Sequence, residues 1–227
     1  MGHLNEMIPP LTDVTLTRAV ADLTGRDPRL AQILAEYGPP PMWAREPGFP
    51  ALLLTILEQQ VSLASARAAY TRLLAVAGRL TPERFLELDD SELKTAGFSR
   101  QKARYGRELA LAIASGQLDL DQLNAFDDET ARAALTRVKG IGVWTADIYL
   151  LLALRRPDIW PVGDLALASA VRRVIGLPAA PTPDQMEAVG AEWRPWRAVA
   201  ARLLWHYYLS NQPRTEDRSQ RMAVPGG

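Results

Sequence analysis

A chain of 227 residues, 48% of them hydrophobic, can bury a sizeable core as one large domain or as two smaller ones sharing a cleft. It has no cysteine, which excludes disulfides, thiolate metal sites and iron–sulfur clusters, and no apolar run nears the roughly 18 residues of a membrane helix. The 26 basic and 26 acidic residues cancel, so any nucleic-acid partner must be held by local charge and not by a global basic excess.

The chain opens without a basic stretch leading into an apolar run, so a cytoplasmic, nucleoid-associated protein is expected. The first predicted element is a helical hairpin, set off from the body by Pro39-Pro40-Pro41 and Pro47. Leu53, Ile56, Leu57, Val61 and Ala64 then follow helical spacing and predict one helix through 53–64. Thr81-Pro82 and Thr182-Pro183 each place a capping hydroxyl before a proline at the first helical position. Asp90, Ser99 and Asp127 predict further caps, and Gly97 and Gly116 predict helix ends. Residues 99–107 carry Arg100, Lys102, Arg104 and Arg107 with no acid among them, while acids crowd 83–92 and 119–129. That segregation fits a local basic face, and equally a solvated helix face. Ile148, Leu151 and Leu152 resume the helical spacing, and Asp164, after a Pro-Val-Gly bend, reads as the N-cap of an apolar helix over 165–175. Residues 213–227 are polar and end in glycines, so they are expected to form a flexible tail. Sustained period-two alternation is absent, and an all-α fold of about ten helices follows.

The informative segment is Leu135–Leu152, where one helix ends, Val138-Lys139-Gly140-Ile141-Gly142 turns, and a second apolar helix begins. Two glycines two apart allow positive φ and let another backbone approach closely. The second helix opens with free N–H groups that suit a phosphate. The carbonyls of Thr136, Val138 and Ile141 could face the same phosphate through a Na+ or K+ ion. Such a device grips DNA without reading its sequence. A glycine pair in a helical turn is also what an ordinary C-cap looks like, so the turn alone decides little.

The longer string Val138-Lys-Gly-Ile-Gly-Val-Trp-Thr-Ala146 closely resembles the hairpin of the helix-hairpin-helix (HhH-GPD) DNA glycosylase superfamily, in its 3-methyladenine DNA glycosylase II branch. Other matches follow in order. Ile56-Leu-Glu-Gln-Gln-Val-Ser62 resembles the helix that supplies the residue inserted into the DNA stack. Ser99 to Ala110 resembles the family's Ser-x-x-Lys helix, and Asp158-Ile-Trp-Pro-Val-Gly-Asp164 the segment of its catalytic aspartate. Trp196-Arg197 with Leu204-Trp205 resembles the C-terminal helix that lines the base pocket. The likeness runs from about residue 12 to 212.

The resemblance implies two helical lobes with the active-site cleft between them and no N-terminal β domain. A middle lobe would span 47–156 and hold the hairpin at 135–152; the second would combine 12–46 with 157–212. It implies Asp164 as the catalytic carboxylate, stabilising positive charge on the sugar as an N-glycosidic bond breaks. The base pocket would be formed by Trp144, Trp205 and Ile148, the two indole faces holding a flipped cationic base. DNA contacts would come from Gln59, Gln60, Ser62, Lys102, Lys139, Gly140, Gly142, Val143 and Thr145, with Gln60 filling the gap left by the flipped base. Ile148 stands where some relatives place an aromatic residue. Trp144 stands where relatives that cut the strand carry a lysine; an indole cannot form an imine, so hydrolysis without strand cleavage is expected. The implied partner is double-stranded DNA with alkylated bases, bound by a monomer without an organic cofactor. A glycosylase for another lesion class and a non-catalytic DNA-binding module are the alternatives. His206 is read as a packed or solvated histidine and not as a general base.

Overall fold

Capping side chains set most of the helix starts. Thr12, Asp27, Ser62, Thr81, Asp89, Ser99, Asp127, Asp164 and Thr182 each accept a backbone N–H from the first turn of the helix they begin. The computed structural model describes residues 8–212. In chain order its helices are α1 (Asp13–Arg26), α2 (Pro28–Tyr37), α3 (Phe49–Glu58), α4 (Leu63–Ala77), α5 (Pro82–Glu87), α6 (Asp90–Ala96), α7 (Arg100–Ala114), α8 (Asp128–Thr136), α9 (Val143–Leu152), α10 (Leu165–Ile175), α11 (Pro183–Ala191) and α12 (Arg197–Ser210). A 3-10 turn, Gln122–Ala125, lies between α7 and α8. No strand occurs among the described residues, in keeping with the all-α expectation. No described helix is long and apolar enough to cross a membrane. The tail expected at 213–227 lies outside the described residues.

Two expectations need correction. The cap of α6 is Asp89, not Asp90, because Asp89 and Glu92 close a reciprocal capping box. The helix expected through 53–64 is two helices, since Gln60 takes φ +57 and Ser62 starts α4 afresh. Val61 and Ala64 have the right spacing but are exposed.

The helices pack in two sets. α1, α2, α10 and α12 lie against one another; in the other set α3 packs on α4, α7 and α9, with α5 on α7 and α8 on α9. Helix α9 is buried on every side from Thr145 to Leu152, as its almost uniformly apolar sequence requires. Backbone bonds stitch the sets together: Leu11 N–H donates to Arg155 O (2.8 Å), Arg45 N–H to Leu152 O (3.0 Å) and Ala198 N–H to Pro157 O (3.0 Å). Arg202 of α12, fully buried, does the same with its side chain. It donates to the carbonyls of Met42, Ala198 and Leu151, the last in the final turn of α9, where carbonyl dipoles favour a cation. Burial pulls its guanidinium down to about 10.

Asp27 ties α1 and α2 to the segment after α11. Its carboxylate caps α2, pairs with Arg29 (2.7 Å) and accepts the Trp193 indole N–H (2.7 Å). Burial pushes its pKa up, but these bonds outweigh that and hold it at about 2. A carboxylate depressed in the folded state adds stability that is fully present above its unfolded value of about 3.9 and disappears as pH falls through the folded one. Asp27→Asn is therefore expected to cost about 2 kcal/mol at neutral pH. Thermal melts at a series of pH values should also show a shallower loss of stability from about pH 4 to 2 than in the parent; an unchanged acid limb would assign the acid sensitivity to other groups.

Candidate active site

Asp164 is delivered by a short bend in which Val162 N–H bonds Trp160 O (2.9 Å) and Asp164 N–H bonds Pro161 O (3.0 Å). It caps α10 through Oδ1, which accepts the Leu167 N–H at 2.8 Å. The same carboxylate receives two indole N–H groups. Trp205, from α12, donates to Oδ1 at 3.0 Å, and Trp144, from the first turn of α9, donates to Oδ2 at 2.9 Å. The residue expected to be catalytic is thus also the cap of α10. Both tryptophans and Asp164 are half-buried. The sequence reading brought the rings to this site by their faces, but the structure shows their polar edges turned to the carboxylate. Ile148, one turn beyond Trp144, is buried in the core.

The hairpin turn runs directly into the same end of α9 that carries Trp144. Val138 N–H bonds Leu135 O and Ile141 N–H bonds Val138 O, which makes a tight turn. Gly140 sits at φ +98, and a Cβ there would enter the Tyr105 ring of α7. Gly142 has an ordinary φ of −87, so only one of the two glycines needs left-handed backbone. A Cβ on Gly142 would meet nothing within the protein. The first backbone bond of α9 is Ala146 N–H to Gly142 O, and no side chain caps the helix. The N–H groups of Val143, Trp144 and Thr145 therefore open α9 without helical acceptors. Lys139, Gly142 and Val143 are exposed beside them. Arg132 and Asp147 bolt α8 to α9 through a 2.6 Å ion pair. Burial raises the pKa of Asp147, and Arg132 partly offsets the rise.

Between α3 and α4, Gln59 to Ser62 form an exposed turn with Gln60 at its tip in the left-handed region. A non-glycine residue held there marks a backbone fixed by its surroundings. Two side chains fix it. The Gln59 amide donates to Gly140 O and to Thr145 Oγ1, each at 2.9 Å, and the Lys102 ammonium donates to Leu57 O at the end of α3. Val61 and Leu63 are 44% and 48% exposed beside the tip.

Three side chains read as DNA contacts are thus used inside the protein. Gln59 and Lys102 brace the turn, and Thr145 is buried as an acceptor for Gln59. Burial lowers the pKa of Lys102. Long-range partners of this kind leave no trace in local spacing. Gln60, Ser62, Lys139, Gly142 and Val143 remain on the surface. In the basic run, Arg107 bonds Leu88 O and pairs with Asp90, which leaves Arg100 and Arg104 exposed. His206 is half-buried, with Nε2 2.9 Å from Tyr37 O.

The brace predicts that Gln59→Leu, similar in size, strands the buried Thr145 hydroxyl and frees the turn. A loss of about 1–3 kcal/mol in thermal unfolding is expected. Extrusion of a base, followed by 2-aminopurine fluorescence in duplex DNA, should weaken more than overall DNA affinity. Equal effects on both would make the bond purely structural.

The site thus joins a hairpin with open N–H groups, a surface tip held from behind by Gln59 and Lys102, and a carboxylate bonded to an indole of the hairpin's second helix. Comparison with known proteins gives the family. Residues 53–195 match the model of the HhH-GPD superfamily of base excision DNA repair proteins, and this chain belongs to that superfamily. A Bacillus subtilis relative is 30% identical over 78% of this chain, which spans 64% of that relative's length. Among solved structures, 3-methyladenine DNA glycosylase of Schizosaccharomyces pombe in complex with abasic DNA is similar, with a TM-score of 0.76, 28% identity, and 83% of this chain and 95% of that one covered. A DNA-3-methyladenine glycosidase from Bacillus halodurans has a TM-score of 0.71 and 28% identity, over 92% of this chain and 97% of that one.

Proposed function

We propose that this chain is a monofunctional DNA glycosylase that flips alkylated bases out of double-stranded DNA and hydrolyses the N-glycosidic bond, the first step of base excision repair. The observation that carries this reading is Asp164 held by two indole N–H groups, one from the hairpin helix and one from α12. The cleft would lie between the two helix sets, with α3–α9 as one lobe and α1, α2 and α10–α12 as the other. The free N–H groups of Val143, Trp144 and Thr145 would take a DNA phosphate, with Lys139 beside it. A monovalent cation held by the carbonyls of Thr136, Val138 and Ile141 fits this grip, because the Val138 oxygen keeps a second lone pair beyond its bond to Ile141 N–H. Gln60 would enter the stack as the lesion leaves it. An N-alkylated purine is cationic and leaves readily, so a carboxylate facing the sugar and an aromatic surface against the base meet most of its needs. The names of the similar solved proteins support the alkylated-base class.

Hydrolysis without strand cleavage follows from Trp144 in the place of a reactive amine. Lys102, whose burial would favour an amine nucleophile, is committed to the Leu57 carbonyl. The purified protein, as a monomer, is expected to leave abasic sites in methylated duplex DNA and to show breaks only after alkali. Nicking before alkali would reject the monofunctional part. Release assays over 3-methyladenine, 7-methylguanine, 1-methyladenine, 3-methylcytosine, ethenoadenine and hypoxanthine test the alkylated-base class, and release of hypoxanthine alone would move the protein to deaminated bases.

A further inference from the structure

A carboxylate offers about four in-plane acceptor positions, two on each oxygen. At Asp164 the Leu167 N–H and the Trp205 indole N–H fill both positions on Oδ1. The Trp144 indole N–H fills one on Oδ2. Among the described residues no other donor reaches it, so one lone pair on Oδ2 is left for chemistry. We infer that Trp144 and Trp205 are positioning residues for Asp164: their N–H groups fix the plane of the carboxylate so that Oδ2 alone faces the sugar or its attacking water. The inference rests on the glycosylase reading above and deepens it.

Geometry distinguishes this from simple aromatic packing. A half-buried indole needs some acceptor for its N–H, but here two indoles from helices in different sets choose the same carboxylate and opposite oxygens. The Leu167 bond anchors Oδ1 to the first turn of α10, and the two indoles prevent rotation about that anchor. The ring faces remain a separate resource for the base. Phenylalanine would keep much of the face and lose the bond, which is why the two roles can be separated.

The test replaces Trp205, and separately Trp144, with the isosteric benzothienylalanine, in which sulfur stands in place of the indole N–H. Single-turnover release of 3-methyladenine is measured on a methylated duplex, with DNA affinity by anisotropy and folding by thermal melting. Each replacement is expected to slow release by about tenfold or more, with affinity within about twofold. In an Asp164→Asn background the same replacements should change the residual rate by less than about twofold, because residues that act through one group are not additive. Parental release rates in either isostere would overturn the inference, as would a full additional loss in the Asp164→Asn background. Should one isostere fail to fold, the other decides alone. Failure of the unmodified protein to release any alkylated base would instead reject the underlying function, and is read from the same assay.

Discussion

Asp164→Asn is expected to slow base release by about three orders of magnitude or more, with affinity for DNA kept within about twofold. Asparagine is as good an N-cap as aspartate, so Leu167 N–H keeps its acceptor and α10 its start. What changes is charge and the count of acceptors. With the amide oxygen facing Leu167 and Trp205, the NH2 group points at the Trp144 N–H, donor against donor. The mismatch costs about 1–3 kcal/mol of stability, which leaves a folded protein. The larger effect is on the reaction. Positive charge developing on the sugar would lose the counter-charge that Asp164 supplies, and three orders of magnitude correspond to about 4 kcal/mol at the transition state. Single-turnover release and anisotropy on the same duplex measure the two quantities. A variant that released bases at near-parental rates would remove Asp164 from the reaction, and parallel loss of binding would make it a structural residue.

Much of the architecture could be read from capping chemistry, because a Ser, Thr or Asp before a helix acts within three residues. Thr81, Thr182, Ser99, Asp127 and Asp164 all do what their neighbours imply. The misplaced cap at Asp90 had the same local source: Glu92 lies three residues from Asp89, and that spacing, not the aspartate alone, selects the cap. Periodicity failed at 53–64 because Val61 and Ala64 hold helical spacing without being buried; Ser62 was the contrary sign, a cap inside the supposed helix. The site divides along the same line. Gly140 and Asp164 announce themselves by backbone need and position. The two indole bonds join residues 20 and 41 positions apart and could not be seen in any window of sequence. Resemblance brings the tryptophans to the site by their faces, and only the folded chain shows their edges turned toward the acid. Gln59 and Lys102 show the converse: polar side chains assigned to the surface beside the turn at 59–62 are the supports that fix it.

The two hairpin glycines should separate folding from binding. Gly140→Ala forces a side chain into φ +98, worth about 1–2 kcal/mol, and places its methyl within the Tyr105 ring, so α7 and the turn must part. The sum is expected at about 2–4 kcal/mol in thermal or denaturant unfolding. DNA binding suffers as well, because the displaced turn carries Lys139 and the start of α9. Gly142→Ala faces neither penalty. Its φ of −87 suits alanine, and its Cβ meets open space. Stability should therefore stay within about 0.5 kcal/mol of the parent. The methyl would nonetheless stand beside the open N–H groups of Val143, Trp144 and Thr145, where a phosphate must come within hydrogen-bond distance of the backbone. A loss of about tenfold in DNA affinity, or 1.4 kcal/mol, is expected. Anisotropy across a salt series should show a shallower dependence, by about one phosphate contact. Unaltered binding by Gly142→Ala would place the DNA grip elsewhere on the surface. The glycine would then lack a reason inside the protein and outside it, since nothing in the fold requires its missing side chain.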